Sequence, residues 1–291
     1  MKERVPHAVL AISALGFGFA YPVIKDSIPA LGAAGAAGWR LLVGGVFLLA
    51  LSFPTQARVW RDGSIGGLWL FAAFSLQALA LERTASSTTA AIIGSAAVVA
   101  PIATAALRRS APGPWVVVGG ALVFVGVVLV GLGDRFGLDR GQLLALAAAL
   151  FLAGHLAHLA RTATRHVLVP YAGVQLTVAG VMAVTASLLT GGPVLPPAPA
   201  LPGVIVGGLV LGALPVLGQM WSQSRLGAGR TGLGLTLIPI GTAIGAVGVS
   251  GERLPVQGWL GVTVLVAAAV VVTVRSQDPD VLVARSVSPG H

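Results

Sequence analysis

Pro101-Ile102-Ala103-Thr104-Ala105 and Pro239-Ile240-Gly241-Thr242-Ala243 are nearly the same five residues, written twice, 138 positions apart. Four of the five positions are identical. Each run follows a stretch of small residues. Each is followed by a polar break, a tryptophan (Trp115, Trp259) and a Gly/Val-rich apolar segment. In a chain rich in Ala and Gly such a match says little alone. Its weight comes from where the two copies fall.

Around them the sequence divides into ten apolar segments, at about 7–25, 30–51, 65–81, 84–106, 113–131, 141–160, 168–190, 203–221, 231–249 and 255–274. The breaks carry Pro, Gly and nearly all the charge. A bilayer core needs about 20 apolar residues per helix, so each segment reads as a membrane span. The repeated pentapeptide sits in the fourth and the ninth, which are corresponding members of two sets of five. A unit with an odd number of spans starts its second copy from the opposite side of the membrane. The expected fold is therefore an all-α integral membrane protein of ten transmembrane helices in two inverted five-helix repeats, residues 1–133 and 134–275, with a polar, disordered cytoplasmic tail over 276–291. Inverted repeats are a common basis of alternating access, with the solute held near the midplane between the halves.

Composition demands the same solvent. The chain is 56% hydrophobic and only 9% charged, with a mean hydropathy of +0.92; a soluble domain carries about 25% charged residues. Ten spans use roughly 200 residues and leave no room in 291 for a sizeable soluble domain. With no cysteine, disulfide, thiolate and cysteine-metal chemistry are excluded. Lys2 and Arg4 ahead of an apolar run resemble a signal peptide, but with nine further apolar segments behind it, the run reads as a retained first helix.

The net charge of +9 is distributed as a topology signal. The N-terminus, alternate loops and the tail hold twelve basic residues: Lys2, Arg4, Arg58, Arg61, Arg108, Arg109, Arg161, Arg165, Arg225, Arg230, Arg275 and Arg285. The other loops hold five: Lys25, Arg83, Arg135, Arg140 and Arg253. Both termini are thus expected in the cytoplasm, with the protein multi-pass in the plasma membrane. Basic loops spread over one membrane face orient a chain; they do not indicate nucleic acid.

Several short runs resemble the drug/metabolite transporter superfamily, EamA type. Phe17-Gly18 with Tyr21 and Lys25 is similar to that family's Trp-Gly pair with its downstream aromatic and Lys. Trp39-Arg40-Leu41-Leu42 resembles its Arg followed by an apolar run, and Gly251-Glu252-Arg253-Leu254 with Gly261 resembles the stretch after the repeat's proline. The resemblance covers about residues 7–275. Phe17 stands where Trp is usual. Arg108-Arg109-Ser110 stands where a Gly-Glu pair is expected, in a break four to six residues shorter. The resemblance implies ten helices, a central cavity and export or uptake of a metabolite, amino acid or drug-like solute.

Polar residues inside apolar segments are the candidate cavity residues. An ionisable side chain at a helix centre costs about 2.5–3.5 kcal/mol on insertion scales. Arg40 is the only basic residue deep in a segment. Helical spacing puts Ala33, Ala36, Ala37 and Gly44 on its face, and small residues permit close helix approach. It reads as an anion-binding or gating cation, or as a structural Arg on helix-end carbonyls. His155 and His158 share a face at i, i+3. If transport is coupled to protons they are the titratable candidates; polar packing is the competing reading, and two His are too few for a zinc site. Gln77, Gln175 and Gln219 must face protein or cavity, as solute ligands or as interhelical glue. Phe17 and Tyr21, four apart, can line a pathway or pack. Pro22, Pro101, Pro215 and Pro239 interrupt helices, and the matched pair Pro101 and Pro239 reads as hinges. No acid falls in the middle of any segment; all nine lie in loops or at ends. Trp60, Trp69, Trp115, Trp221 and Trp259 look like interface anchors.

A secondary transporter, export favoured over uptake, accounts for the repeat. No Gly-x-x-x-x-Gly-Lys phosphate loop occurs, so ATP is not consumed by this chain, and no cofactor or metal is expected. The expected partners are a small-molecule solute and the lipid bilayer. A membrane-embedded enzyme would need clustered acids, a nucleophile or a metal set. A receptor or scaffold leaves the repeat unexplained.

Overall fold

The computed structural model describes residues 4–94, 96, 114–131, 139–235, 237–251 and 256–275. The first copy of the pentapeptide with Pro101, the segment Arg108–Ser110, most of Gly251–Leu254 and the tail lie outside these residues. Every regular element described is helical. The elements are α1 (Arg4–Leu51), α2 (Ala57–Leu81), α3 (Ser86–Gly94), α4 (Pro114–Gly131), α5 (Arg140–Thr162), α6 (Leu168–Leu189), α7 (Leu201–Gly208), α8 (Leu214–Leu235), α9 (Ile238–Gly245) and α10 (Val256–Arg275). A π turn, Leu209–Ala213, joins α7 to α8, and a second, Ala246–Ser250, follows α9. Five helical stretches are long and apolar enough to cross a membrane, Val5–Leu51, Ala57–Leu81, Arg140–Arg165, Leu168–Leu189 and Ala198–Leu226; Ile238–Val249 and Val256–Ala268 are shorter apolar helices.

α1 is two helices rather than one. Gly32 interrupts it at φ 69°, ψ 163°, a left-handed conformation that favours glycine. The chain reverses there. Val23, nine residues before the break, and Arg40, eight after it, both come within 3.8 Å of the β-position of Gly207 on α7. The break expected after residue 25 therefore falls later. The first arm, 4–31, carries both Pro22 and Pro29 inside the helix.

Two other boundaries differ from the sequence reading. α2 begins at Ala57, not near 65, so Arg58, Arg61 and Asp62 lie in its first turns. Charge marks where a helix leaves the lipid core, not where the helix ends. Trp69 is consequently mid-helix, not an end anchor, and packs against Phe151 with ring centroids 5.9 Å apart. The helix over Leu214–Leu235 also runs through the break expected between 221 and 231. No proline occurs between Pro215 and Pro239, and a helical glycine costs only about 1 kcal/mol relative to Ala. Pro239 opens α9 instead of interrupting it, at a position where its missing N–H costs nothing. At the start of α5 the cause is plain: Asp139 and Gln142 form a reciprocal cap, at 2.7 and 3.2 Å.

Small residues set the packing, as expected where lipid removes most of the hydrophobic drive between helices. The second arm of α1, 33–51, is wedged between α6 and α7. A β-carbon at Gly38 would lie 2.6 Å from the Val184 nitrogen, and one at Gly44 2.6 Å from the Gly208 carbonyl. The first arm crosses α8 and α9. Gly16 faces Pro215, and Gly18 and Gly241 bring the backbones of α1 and α9 into contact. Thr242 of the repeated run seals that crossing, its fully buried hydroxyl donating to the Gly18 carbonyl at 3.0 Å and to Ile238 O at 3.1 Å. Val46, Val181, Val210 and Leu260 lie exposed on the outside, a surface matched to lipid.

Candidate functional site

Between these crossings lies one cavity whose wall is drawn from distant parts of the chain. α1 contributes Phe17, Ala20, Tyr21 and, from its second arm, Arg40. α2 contributes Leu70, Phe74 and Gln77; α5 contributes Leu152, His155, Leu156 and Leu159. Val216, Gln219, Met220 and Leu235 come from α8, and Ile238 from the start of α9. Six of the seven candidate cavity residues thus share one wall: Phe17, Tyr21, Arg40, Gln77, His155 and Gln219. His158 is not part of it. Pro239 stands next to Ile238 and against Gly94 of α3, its Cγ 3.4 Å from the β-position there.

The wall is apolar apart from a few groups, each placed by helix geometry. Leu70, Phe74 and Gln77 recur at i, i+4, i+7 on α2, and Leu152, His155, Leu156 and Leu159 at i, i+3, i+4, i+7 on α5, so one face of each helix supplies its share. Arg40 is 4% exposed. Its guanidinium carbon lies 4.8 Å from the centroid of the Phe74 ring, within cation–π range. Its Nε has no hydrogen-bond partner. It takes no part in the ion pairs Arg61–Asp62, Arg83–Glu82 and His166–Asp62. Among the described residues, no Asp or Glu lies in the wall.

His155 is held from behind. Its Nε2–H donates to Gln175 Oε1 of α6 at 2.7 Å, and Gln175 Nε2 reaches the Tyr171 carbonyl at 3.5 Å. Gln175 is therefore interhelical glue one layer outside the cavity, with its side chain packed on Gly66 of α2.

Further along α5, toward the start of α2, a polar cluster ties α2 to α5 and α6. Asp62 is buried, and its carboxylate accepts from Arg61 Nε at 3.0 Å and from His166 Nε2 at 2.9 Å. His158 Nε2–H donates to the Asp62 carbonyl at 2.8 Å and lies 3.2 Å from the Tyr171 hydroxyl. That hydroxyl donates to Thr162 Oγ1 at 2.6 Å, which in turn donates to the His158 carbonyl at 2.8 Å. The rings of His166 and Tyr171 meet at a tilt of 43°, their centroids 4.8 Å apart. The sequence reading placed Asp62 in a loop and did not single out His166, Thr162 or Tyr171. Asp62 and His166 are 104 positions apart, and no local pattern joins them. Among the described residues, no group of three or more His, Cys, Asp or Glu is placed to hold a metal ion.

Comparison with known proteins agrees with this architecture. The sequence model of the EamA-like transporter family matches twice, over residues 6–132 and 139–274. A solved structure titled "Crystal structure of protein" superposes with a TM-score of 0.67 at 18% identity, over 94% of this chain and 98% of that one; it establishes a shared fold. No curated protein matches. The two family matches divide the cavity wall between them, Phe17, Tyr21, Arg40, Phe74 and Gln77 in the first, His155 and Gln219 in the second. The chain belongs to the EamA-like transporter family of the drug/metabolite transporter superfamily, and is a membrane transporter of that type.

Proposed function

We propose that the chain is a secondary transporter that moves a small metabolite, amino acid or drug-like solute across the plasma membrane by alternating access, with export as its working direction. Ten helices, in halves 1–133 and 134–275, cross the membrane in opposite senses, and both termini and the tail 276–291 are cytoplasmic. The observation that carries this reading is the cavity wall itself, drawn from both repeats. A solute held between two such halves changes sides when they rock against each other. The polar cluster supports a closed end: about 12 Å along α2 from Leu70 at 1.5 Å per residue, Asp62 locks the first repeat to His158 and His166 of the second. In this reading, that lock opens and re-forms in each cycle.

The absence of cysteine makes the test direct. A single cysteine at Leu156, in the wall, is probed with a membrane-impermeant maleimide from each face of sealed vesicles. Alternating access gives labelling from both faces. Labelling from one face under every condition, with flux absent from proteoliposomes containing only this protein, would reject it. Single cysteines at Lys2 and Ser286 test the topology: both are expected to react only from the cytoplasmic side.

A further inference from the structure

A buried cation in a low-dielectric wall needs compensation. Removing a charge from water costs several kcal/mol even after relaxation, and a desolvated cation–π contact returns only about 2 kcal/mol. Arg40 has the ring of Phe74 and nothing else of that kind. Its Nε is unpartnered, no carboxylate among the described residues pairs with it, and Tyr21 in the same wall offers only a phenol. The backbone around it is fixed: the Arg40 carbonyl lies 2.6 Å from the β-position of Gly208, so the helix cannot rotate to send the guanidinium elsewhere.

We infer that the missing counter-charge is the solute's, and that the cavity takes a small organic anion with an apolar or aromatic body. This deepens the transporter reading and rests on it for the route, though not for the binding. The guanidinium fork suits a carboxylate, sulfonate or phosphate group. Phe17, Phe74, Leu156 and Met220 form the surface for the body. Gln77 and Gln219 supply neutral dipoles. Among the described residues the wall offers no acid for an ammonium group, so a cationic amine loses twice: it meets Arg40 as a like charge and finds no partner. A zwitterionic amino acid gains at its carboxylate and leaves its ammonium on amide oxygens alone. The order of preference is therefore anion, then zwitterion, then cation.

Four probes share one skeleton and differ in charge: 3-phenylpropanoate, phenylalanine, 3-phenylpropanamide and 3-phenylpropylammonium. Binding to the purified full chain is read by thermal stabilisation, and flux in proteoliposomes. The expected result is binding of 3-phenylpropanoate at least tenfold tighter than the amide or the ammonium, with Arg40→Gln removing the preference and Arg40→Lys retaining part of it. Equal binding of the carboxylate and the amide, tighter binding of the ammonium, or no binding of the carboxylate overturns the inference. The wild-type ranking alone decides this if Arg40→Gln does not fold. Anion binding without flux leaves this site standing and sinks the transport reading. Flux that prefers the ammonium does the reverse.

Discussion

The crossing of α1 and α9 gives the most calculable prediction, Gly18→Ala. A β-carbon there would lie 2.6 Å from the Thr242 nitrogen and 2.8 Å from the Gly241 carbonyl carbon, where ordinary contact begins at 3.4 Å. These are backbone atoms and cannot rotate away. The Ile238 carbonyl oxygen is closer still, so the helices must part by about 1 Å, which also stretches the 3.0 Å bond from Thr242 to the Gly18 carbonyl beyond hydrogen-bond range. Overpacking costs about 1–3 kcal/mol, and the lost bond about 0.5–1.5 kcal/mol. Alanine's helix preference returns at most about 1 kcal/mol. The net is a destabilisation of about 0.5–4.5 kcal/mol. The control is Gly248→Ala, where nothing lies within 4 Å of the added carbon; it keeps the preference and meets no clash. The assay is the fraction of detergent-solubilised protein that stays monodisperse after heating. Gly18→Ala should lose several degrees relative to wild type, and Gly248→Ala none. Equal midpoints for the two variants would refute the packing argument.

Other substitutions probe the site and its surroundings. Gln175→Leu leaves the buried His155 Nε2 without its acceptor, a cost of about 1–3 kcal/mol. Adding His155→Leu should recover part of the loss, and thermal midpoints that simply add would contradict the pairing. Tyr171→Phe removes the hydroxyl between His158 and Thr162 and should lower stability by about 1 kcal/mol, again read from the thermal midpoint. Asp62→Asn keeps the shape of the lock but removes its charge; maleimide labelling at a cysteine replacing Leu156 should rise from the cytoplasmic face, and an unchanged labelling rate would reject the lock. Pro239→Ala should leave the thermal midpoint within about 1 kcal/mol of wild type, because a first-turn N–H needs no partner within its helix, while slowing flux; parallel loss of both would reject a hinge.

The legible parts of the site were those that lipid makes expensive. Arg40, Gln77, His155 and Gln219 stand out because a polar group cannot face hydrocarbon without cost, so each must turn inward, and the structure brings them to one wall. Phe74, Leu156 and Met220 on the same wall gave no such signal. An apolar side chain is equally content against lipid and against protein, so inward and outward faces carry the same residue types. The remedy was present in the sequence: stepping i−3 from Gln77 or i+1 from His155 reaches Phe74 and Leu156. Asp62 was misread for the opposite reason. Charge was taken to end the helix, yet α2 continues past it, and its partner His166 arrives from a distant segment.

The match between the repeats does not extend to their polar groups, and that difference bears on mechanism. Small-residue crossings tie the two repeats together: Gly18 with Gly241 joins α1 to α9, and Gly38 and Gly44 join α1 to α6 and α7. Arg40 of the first repeat reaches the cavity, while Gln175 of the second lies outside it, bonded to His155. Backbone symmetry is what two exchangeable conformations require; side-chain asymmetry is what a single solute orientation requires. Among the described residues Arg40 is the wall's one Arg or Lys, and it belongs to the first repeat; under the proposed alternating access an anionic group would stay anchored to that half while the second rocks across it. Moving the cation should therefore not restore the site: Arg40→Gln with Gln175→Arg keeps net charge but puts the guanidinium against Gly66, whose β-position already lies 2.7 Å from Gln175 Cδ. That exchange should abolish binding of 3-phenylpropanoate, and recovery of binding would show that the wall needs only a charge, not a charge on the first half.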